Sequence, residues 1–325
     1  MPAQPTKANI AAIRTETPVI KSFKLTPMDG ERFPDYAPGA HIKVRVTLDG
    51  GQIEERAYSL YGENEGGAAY RIAVLKEDEG RGGSRFMHEA LAEGDVLEFT
   101  GPTNDFVLDA SATETILIAG GIGITPIVAM ARALSAEGRA FTLHYAAKTH
   151  EDMALIEEVV RVADGRAALY FDGGDPSRGV PLDSILKAPG AGKHVYACGP
   201  GAMIDAVEET AQKQGWNAAN IHFERFAAPE AAADDETFEV VVRSTGESLN
   251  VAPGTSILDA LVAAGHDPLF DCGVGNCGIC ATKVMEHDGE LQHHDNYLSP
   301  EKKASGDQMC ICVSRVKGGR VVLDM

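Results

Sequence analysis

Five of the six cysteines lie between Cys272 and Cys312. The first three, Cys272, Cys277 and Cys280, are separated by four residues and then by two. This spacing is that of the plant-type ligand set for a [2Fe-2S] cluster. The loop is rich in glycine, so its backbone N–H groups can approach the negatively charged sulfides without interference from Cβ atoms. The pattern therefore predicts a one-electron redox centre in the C-terminal part of the chain.

The fourth ligand of this centre has two candidates. Cys310 follows Cys280 after 29 residues, and Cys312 follows it after 31. The alternation of Met309–Val313 predicts a strand that carries both sulfurs on one face, so both candidates stay open. A structural zinc site is the alternative, although zinc modules favour two short cysteine pairs or histidines. The pair His293–His294 predicts a solvated turn rather than the ligands of a Rieske cluster.

A glycine-rich turn, Gly120–Pro126, forms a second chemical motif. The apolar residues from Thr115 predict a strand before it, and Ile127–Leu134 predicts a helix after it. A strand, a glycine turn and a helix N-terminus together form a cradle for pyrophosphate. Cys198–Pro200 follows a later predicted strand, where a doubly wound sheet opens its ligand crevice. A small residue packed at the end of that strand is the alternative for Cys198, since no base lies beside it to make a nucleophile.

Further strands and helices alternate after this turn. The predicted strands are Phe141–Ala146, Ala167–Phe171 and His194–Ala197, and the predicted helices are Glu151–Ala163 and Ala202–Gln214. Strands that alternate with helices indicate a parallel sheet. A doubly wound α/β domain that binds a dinucleotide is therefore expected.

The residues near the expected ribose site favour NADH over NADPH. A 2′-phosphate usually requires an Arg or an equivalent cation. Lys148 is followed by acidic residues, and the next predicted strand ends in Asp172. NADH is therefore the predicted nucleotide.

Short alternating runs, separated by Pro and Gly, mark the chain from Ile10 to about Ala110. They include Val19–Leu25, His41–Leu48 and Val96–Thr100. Such a pattern is typical of a small antiparallel barrel.

Two segments of this barrel carry chemical groups. Arg56–Ser59 combines a cation, an aromatic ring and a hydroxyl, which can hold a phosphate, a planar ring and its polar edge. Gly80–Ser84 precedes a predicted helix, Arg85–Leu91, whose first N–H groups can converge on an anion. A flexible hairpin tip is the alternative for the glycine segment. Together the two segments predict a flavin site.

The C-terminal part predicts a small domain around the cysteine loop. Thr237–Arg243 and Glu247–Val251 predict a β-hairpin, and Ser256–Ala264 predicts a short helix capped by Thr255 or Ser256. The preceding segment, Ala227–Glu236, has the composition of a linker. A ferredoxin-like domain is expected here.

The charge and composition exclude several classes of function. The chain has 48 acidic and 29 basic side chains, and its net charge of -19 repels nucleic acid and anionic membranes. The longest uncharged run, Thr115–Ala131, is too short to span a bilayer. The N-terminal residues lack the pattern of a secretion signal. We expect a cytoplasmic monomer with reduced thiols that binds neither nucleic acid nor a membrane.

Four motifs in this order resemble the phthalate dioxygenase reductase family, within the ferredoxin–NADP reductase superfamily. They are Arg56–Ser59, Gly120–Pro126, Cys198–Pro200 and the Cys272–Cys280 loop. The resemblance extends over the whole chain and implies a multidomain α+β protein. Its parts would be an antiparallel β-barrel flavin domain, a doubly wound α/β nucleotide domain and a β-grasp ferredoxin-like domain. The boundaries would be 1–110 for the FMN domain, 111–228 for the NAD domain, 229–236 for a linker and 237–325 for the plant-type [2Fe-2S] domain.

The resemblance also implies which residues contact each cofactor. FMN contacts come from both barrel segments, the nucleotide turn and an aromatic side chain over the ring: Arg56, Ala57, Tyr58, Ser59, Gly82, Gly83, Ser84, Thr125 and Phe226. A plain core position is the alternative for Phe226. NAD contacts come from the sheet edge: Gly120, Gly121, Gly123, Ile124, Pro126, Asp172, Cys198, Gly199 and Pro200. The cluster ligands are Cys272, Cys277, Cys280 and, because Cys312–Arg315 resembles the closing motif of the family, Cys312, with Cys310 as the alternative.

The implied activity is that of an NADH-dependent oxidoreductase that works through its cofactors and needs no catalytic side chain. NADH would deliver a hydride to FMN, and single electrons would then reach the [2Fe-2S] cluster. The final acceptor would be a separate Rieske non-haem iron oxygenase, either an aromatic-acid dioxygenase or an O-demethylase. The alternatives are a reductase of a di-iron or P450 hydroxylase, and a zinc-stabilised binding or sensor module.

Overall fold

The chain divides into two units, which meet in the sequence between Phe223 and Glu224. The structure is a computed structural model that describes residues 4–28, 30–63, 65–229, 232 and 235–325. The first unit contains the flavin and nucleotide segments, and the second contains the cysteine loop. Within the predicted linker 229–236, residues 230, 231, 233 and 234 lie outside the described part.

Six antiparallel strands form the first half of the first unit. They are β1 (Thr6–Thr17), β2 (Ile20–Pro27), β3 (His41–Thr47), β4 (Ile53–Ser59), β5 (Tyr70–Leu75) and β6 (Val96–Thr103), with one helical turn, α1 (Gly83–Arg85), between the last two. Their spatial order is β4-β3-β6-β1-β2-β5. The N–H of Tyr61 donates to the carbonyl of Arg71 at 3.0 Å, so the two outer strands also meet and the predicted barrel is confirmed.

Alternation along the strands places the apolar side chains inside the barrel. In β3, Ile42, Val44 and Val46 are buried, whereas Arg45 between them is exposed. Burying each such apolar side chain contributes about 1.5–3 kcal/mol. A slip of one residue would expose the whole apolar row, so these residues fix which face of each strand carries polar groups.

A five-stranded sheet with flanking helices forms the rest of the first unit. Its elements are β7 (Glu114–Gly120), α2 (Ile124–Ala136), β8 (Ala140–Ala147), α3 (Ile156–Ala163), β9 (Ala167–Phe171), α4 (Leu182–Ile185), β10 (Lys193–Cys198), α5 (Gly201–Lys213) and β11 (Ile221–Glu224). The strand order is β11-β10-β7-β8-β9, with parallel pairing from β10 to β9. The order reverses between β7 and β10, which is the switch point where doubly wound sheets bind ligands. The predicted α/β domain is confirmed.

Two helices begin three or more residues away from the start that the sequence predicted. Helix α2 starts at Ile124 rather than Ile127, because Pro126 fits the first helical turn, where its missing N–H is not needed. Helix α3 starts at Ile156 rather than Glu151, since turns precede it and Leu155 has a left-handed φ of 56°. Within the described residues, no helix combines the length and the apolar character needed to cross a bilayer.

The second unit is built around a mixed sheet. Its elements are β12 (Phe238–Val242), β13 (Glu247–Val251), α6 (Ile257–Ala263), β14 (Ala281–His287), β15 (Glu290–Gln292), α7 (Pro300–Ser305), β16 (Gln308–Cys310), β17 (Arg315–Lys317) and β18 (Arg320–Leu323). The main sheet has the order β13-β12-β18-β14-β16, with β12 and β18 parallel. Ser256 caps α6 by accepting the N–H of Asp259 at 3.0 Å, which confirms one of the two predicted caps. This arrangement confirms the predicted β-grasp domain.

A stack of aromatic rings lies where the chain passes from the barrel into the nucleotide sheet. The ring of His222 lies 4.4 Å from that of Tyr196 and 5.1 Å from that of His194. The N–H of Asp109 donates to the Tyr196 hydroxyl at 2.7 Å. Nδ1 of His194 lies 2.9 Å from Nε2 of His222, a hydrogen bond in which one ring donates and the other accepts. Burial, aided by His194, lowers the pKa of His222 to about 4.

The low pKa of His222 predicts a loss of stability in acid. An unfolded histidine has a pKa of about 6.5, so the unfolded state takes up a proton first as the pH falls. Neutral His222 should make its full contribution to the free energy of unfolding above pH 6.5. That contribution, roughly 3 kcal/mol, should be lost as the pH falls towards 4. Urea titrations at several pH values, read from the fluorescence of the single tryptophan, Trp216, would measure it. The variant His222→Gln should have a flatter pH profile, and an unchanged profile contradicts this assignment.

Candidate functional site

The two barrel segments predicted to bind flavin lie side by side. A Cβ atom at Gly83 would be 3.0 Å from Cγ2 of Val46 and 3.4 Å from Cγ of Arg56, so the glycine turn packs directly against β4. Gly82 has a φ of 99°, and a Cβ there would overlap the carboxylate of Asp49. Only glycine allows the turn to approach the cation this closely.

The helix after this turn is shorter and more irregular than predicted. The sequence predicts a helix over Arg85–Leu91, but a single α-turn, Gly83–Arg85, runs into a π-helical turn, Phe86–Ala90. The Ser84 hydroxyl accepts the N–H of Glu77 at 3.0 Å, which ties the turn to the end of β5. Such π-turns are often found at functional sites.

Three arginines surround the glycine turn. Arg56 and Arg81 share the carboxylate of Glu54, with distances of 2.7 and 2.9 Å, and Arg85 pairs with Asp49. Their guanidinium groups are donors of the kind that bind an anionic phosphate, and the carboxylates of Glu54, Asp49 and Glu77 lie beside them. Arg81 and Arg85 were missed as site residues, although both adjoin the glycines of the predicted motif.

Tyr58 and Ser59 lie further along β4, after Arg56. Burial raises the pKa of the Tyr58 hydroxyl, so it stays a neutral hydrogen-bonding group. Ser59 is buried at the end of the strand, whereas Ala57 is exposed. The residues present therefore fit a flavin phosphate and ring, and the individual contacts stay predictions.

At the sheet edge, two glycine turns pack backbone against backbone. A Cβ at Gly120 would be 2.7 Å from Cδ of Pro200, and a Cβ at Gly199 would be 2.9 Å from the nitrogen of Gly120. A Cβ at Gly123 would overlap the carbonyl of Cys198. The turn after β7 and the turn after β10 thus meet at the switch point, where a pyrophosphate can approach bare backbone.

The remaining nucleotide residues occupy different environments. Cys198 is fully buried, so only its backbone faces the turn. Ile124 and Pro126 are buried in the first turn of α2, and the Thr125 hydroxyl donates to the carbonyl of Ile122 at 3.0 Å. Asp172 directly follows β9 and accepts the N–H of Gly174 at 2.7 Å. A carboxylate at this position fits a ribose hydroxyl better than a 2′-phosphate.

In the cysteine loop of the second unit, backbone N–H groups point at the sulfur of a ligand cysteine. Sγ of Cys272 accepts the N–H groups of Val274, Asn276 and Cys277 at 3.3–3.5 Å. A Cβ at Gly275 would be 2.9 Å from Val313, and one at Gly278 would overlap the ring of Tyr297. These glycines let the loop close around its sulfurs, so the donor set fits an iron–sulfur cluster.

The sulfur of Cys312 contacts more of the loop cysteines than that of Cys310 does. It lies 3.1 Å from Sγ of Cys280. Contacts with Cys277 and Cys312 lower the pKa of Cys272, and contacts with Cys310 and Cys312 lower the pKa of Cys280. Cys312 therefore contacts two of the loop cysteines and Cys310 only one.

Two expectations for this region were wrong. The strand β16 ends at Cys310, and the N–H of Val313 turns back to the carbonyl of Cys310 at 3.2 Å, so Cys312 lies in a turn rather than on the same strand face. His293 is not solvated, because its side chain is only 8% exposed and lies against the buried Asp295. Sequence alternation shows neither feature, since both arise from packing against the cysteine loop.

Phe226 belongs to the second unit and is 45% exposed, so it is not a core residue. Its predicted place over the flavin ring stays a prediction. The sequence also gave no signal for Tyr297, which covers Gly278 from 19 residues further along the chain. Among the described residues, no group of three or more Cys, His, Asp or Glu side chains has the geometry of a site for a single metal ion.

A flavin barrel, a doubly wound nucleotide sheet and a β-grasp unit with four converging thiols define a flavin- and iron–sulfur-dependent oxidoreductase. Residues 240–317 match the 2Fe-2S iron-sulfur cluster binding domain, and residues 102–221 match the N-terminal domain of dimethylamine monooxygenase subunit DmmA-like proteins. The vanillate O-demethylase oxidoreductase of Pseudomonas sp. (strain HR199) is 39% identical, over 97% of this chain and 98% of its own.

Two solved structures are similar over 99% of this chain. Phthalate dioxygenase reductase, described as transferring electrons from pyridine nucleotides to [2Fe-2S], has a TM-score of 0.70 at 34% identity and is covered over 98% of its length. An intact type IV self-sufficient cytochrome P450 monooxygenase has a TM-score of 0.74 at 32% identity, and this chain spans 41% of it. The chain belongs to the phthalate dioxygenase reductase family. The predictions of an oxidoreductase and of FMN, NADH and a [2Fe-2S] cluster are confirmed, and an oxygenase partner is implied.

Because the two nucleotide turns pack closely, one added methyl group at their contact is expected to weaken NADH binding. In Gly199→Ala the added Cβ forces the turn away from Gly120, so the affinity for NADH should fall at least about tenfold, or about 1.4 kcal/mol. NADH titrations would measure this, with bound flavin unchanged. Gly190→Ala is the matched control, because its Cβ would make only an ordinary contact at 3.5 Å. Equal NADH affinities in the two variants contradict the assignment of the crevice.

The fourth ligand can be tested with a pair of variants. Cys312→Ser should lose bound iron and slow electron delivery to cytochrome c at least about tenfold, because Cys312 contacts both Cys272 and Cys280. Flavin reduction by NADH should persist. Cys310→Ser is the matched control and should keep its iron. Loss of iron from Cys310→Ser alone would make Cys310 the ligand.

Proposed function

We propose that this chain is the NADH-dependent reductase of a system whose terminal component is a separate Rieske non-haem iron oxygenase. The substrate of that oxygenase would be an aromatic acid or a methoxyaromatic. The observation that carries the proposal is the convergence of the Cys272, Cys277, Cys280 and Cys312 sulfurs in a chain that also has a flavin cradle and a dinucleotide crevice. Near full-length similarity to the reductases of vanillate O-demethylase and phthalate dioxygenase supports this partner.

The barrel residues bind and orient the flavin in this proposal. Arg56 and Arg81 neutralise the phosphate, while Gly82 and Gly83 let the turn lie directly against Asp49, Val46 and Arg56. When bound, FMN accepts two electrons from NADH and releases them singly to the cluster, which is chemistry that side chains cannot supply. Tyr58 offers its neutral hydroxyl to the ring.

The nucleotide residues place NADH by bringing two backbone turns together. The bare backbone at Gly120, Gly123 and Gly199 admits the pyrophosphate, and Asp172 receives the ribose. The fully buried Cys198 supports the turn and takes no part in the reaction. No proton has to be moved by a side chain, which agrees with the absence of an acid–base pair from the predicted site residues.

The proposal includes the domain boundaries 1–110, 111–228, 229–236 and 237–325. It also includes a monomer in the cytoplasm, where a reducing environment keeps the ligand thiols free of disulfides. All six cysteines are free in the structure.

A second candidate partner is a cytochrome P450. The self-sufficient P450 monooxygenase described above contains a segment similar to this whole chain, so the same three-part reductase occurs with a haem acceptor. The two candidates differ in the protein that accepts the electrons. The residues proposed to bind the flavin, NADH and the cluster in this chain are the same for both.

The partner is tested by anaerobic mixing with purified acceptors. Freshly purified chain should show flavin and iron–sulfur absorption that bleaches on addition of NADH. The reduced chain should transfer electrons to the Rieske component of a vanillate O-demethylase at least about tenfold faster than to a P450, a difference of about 1.4 kcal/mol in activation free energy. The reduction of each acceptor would be followed by its own absorption. Faster reduction of the P450 would favour the second candidate, and a colourless protein would overturn both.

A further inference from the structure

A buried carboxylate lies directly behind the cysteine loop. The side chain of Asp295 is completely inaccessible to solvent. A Cβ at Gly275, inside the loop, would be only 3.0 Å from Cα of Asp295, and the N–H of Asn296 donates to the carbonyl of Gly275 at 3.2 Å. Asp295 therefore packs against the segment between the first two ligand cysteines.

The same carboxylate also reaches the turn that carries Cys312. The hydroxyl of Ser314 donates to Oδ1 of Asp295 at 3.4 Å, two residues beyond Cys312. The N–H of Leu298 donates to Oδ2 at 2.8 Å. The carboxylate is thus held between both protein segments that supply cluster ligands.

Two basic side chains face Asp295, and each lies beyond hydrogen-bonding distance of its carboxylate. Nδ1 of His293 lies 3.7 Å from Oδ1, and Nζ of Lys303 lies 3.9 Å from Oδ2. The Lys303 ammonium instead donates to the backbone carbonyl of Asp295. Burial raises the pKa of Asp295, but His293, the N–H of Leu298 and Lys303 outweigh burial and lower the pKa below its ordinary value. The carboxylate is therefore ionised near neutral pH.

A fixed negative charge in a buried site acts over several ångströms with little screening. The potential of an iron–sulfur cluster depends on its net charge, its hydrogen bonds and its exposure to solvent. A nearby anion opposes the arrival of an electron, so it stabilises the oxidised cluster. The charge of Lys303 has the opposite effect.

We propose that Asp295 is a positioning residue for electron transfer, whose buried charge holds the reduction potential of the neighbouring cluster low. This inference rests on the [2Fe-2S] cluster of the proposed function. A low potential makes the reduced cluster a stronger donor to its partner. It also assigns a role to a residue that spacing and motifs do not single out.

The test is a redox titration of the full-length protein, monitored by electron paramagnetic resonance of the reduced cluster. In Asp295→Asn the amide oxygen can still accept the N–H of Leu298, and the amide NH2 can donate to the Ser314 hydroxyl, while the charge is lost. The midpoint potential should rise by at least the equivalent of a tenfold change in the one-electron equilibrium, about 59 mV. A purely structural role for Asp295 would leave the potential of an intact cluster unchanged.

Two further variants keep the test decisive. Lys303→Met removes the opposing charge and should lower the potential. Glu301→Gln, an exposed carboxylate on the same short helix as Lys303, is the matched control and should leave the potential unchanged because solvent screens it. Iron content and visible spectra would verify the cluster in each variant.

The outcomes separate this inference from the proposed function. An unchanged or lower potential in Asp295→Asn with intact iron overturns the role of Asp295. If that variant loses its cluster, Asp295→Ser decides, since a higher potential supports the inference and an unchanged one overturns it. A wild-type protein without a cluster overturns the proposed function itself.

Discussion

At the nucleotide crevice and in the cysteine loop, glycines stand where a Cβ atom would overlap a neighbouring group. Gly123 faces the carbonyl of Cys198, Gly199 faces the nitrogen of Gly120, and Gly278 faces the ring of Tyr297. The cofactors these sites suit are anionic, and backbone N–H groups are the donors that approach them. Side chains at these positions would keep the backbone N–H groups further from the cofactors. The chemistry of the chain therefore depends on where glycine exposes the backbone.

Charge is distributed unevenly around these bare segments. The chain as a whole is strongly acidic, with a net charge of -19. The flavin turn nevertheless brings three arginines together, whereas the cysteine loop has a buried Asp295 behind it. The first arrangement attracts a phosphate, and the second opposes additional negative charge. Local pairing, rather than net charge, therefore decides what each site favours.

The sequence predicted those features that depend on short spacing. The cysteine pattern, the glycine turns and the alternation in β3 each lie within a few consecutive residues, and all three parts of the fold follow from them. The burial of His293, the turn at Cys312 and the position of Asp295 depend on segments far apart in the chain. The late start of α3 at Ile156 depends on a left-handed residue that propensity does not indicate. Local patterns carry no information on such tertiary contacts.

The order of strands in the β-grasp unit has a consequence for synthesis. Strand β18, the last in the described chain, lies in the middle of the sheet between β12 and β14. Chains emerge from the ribosome N-terminus first, and domains generally fold as units. The flavin and nucleotide unit is able to fold while translation continues, but the sheet behind the cysteines has a gap at its centre until Leu323 has emerged. Iron insertion into a finished fold therefore has to wait until Leu323 has emerged.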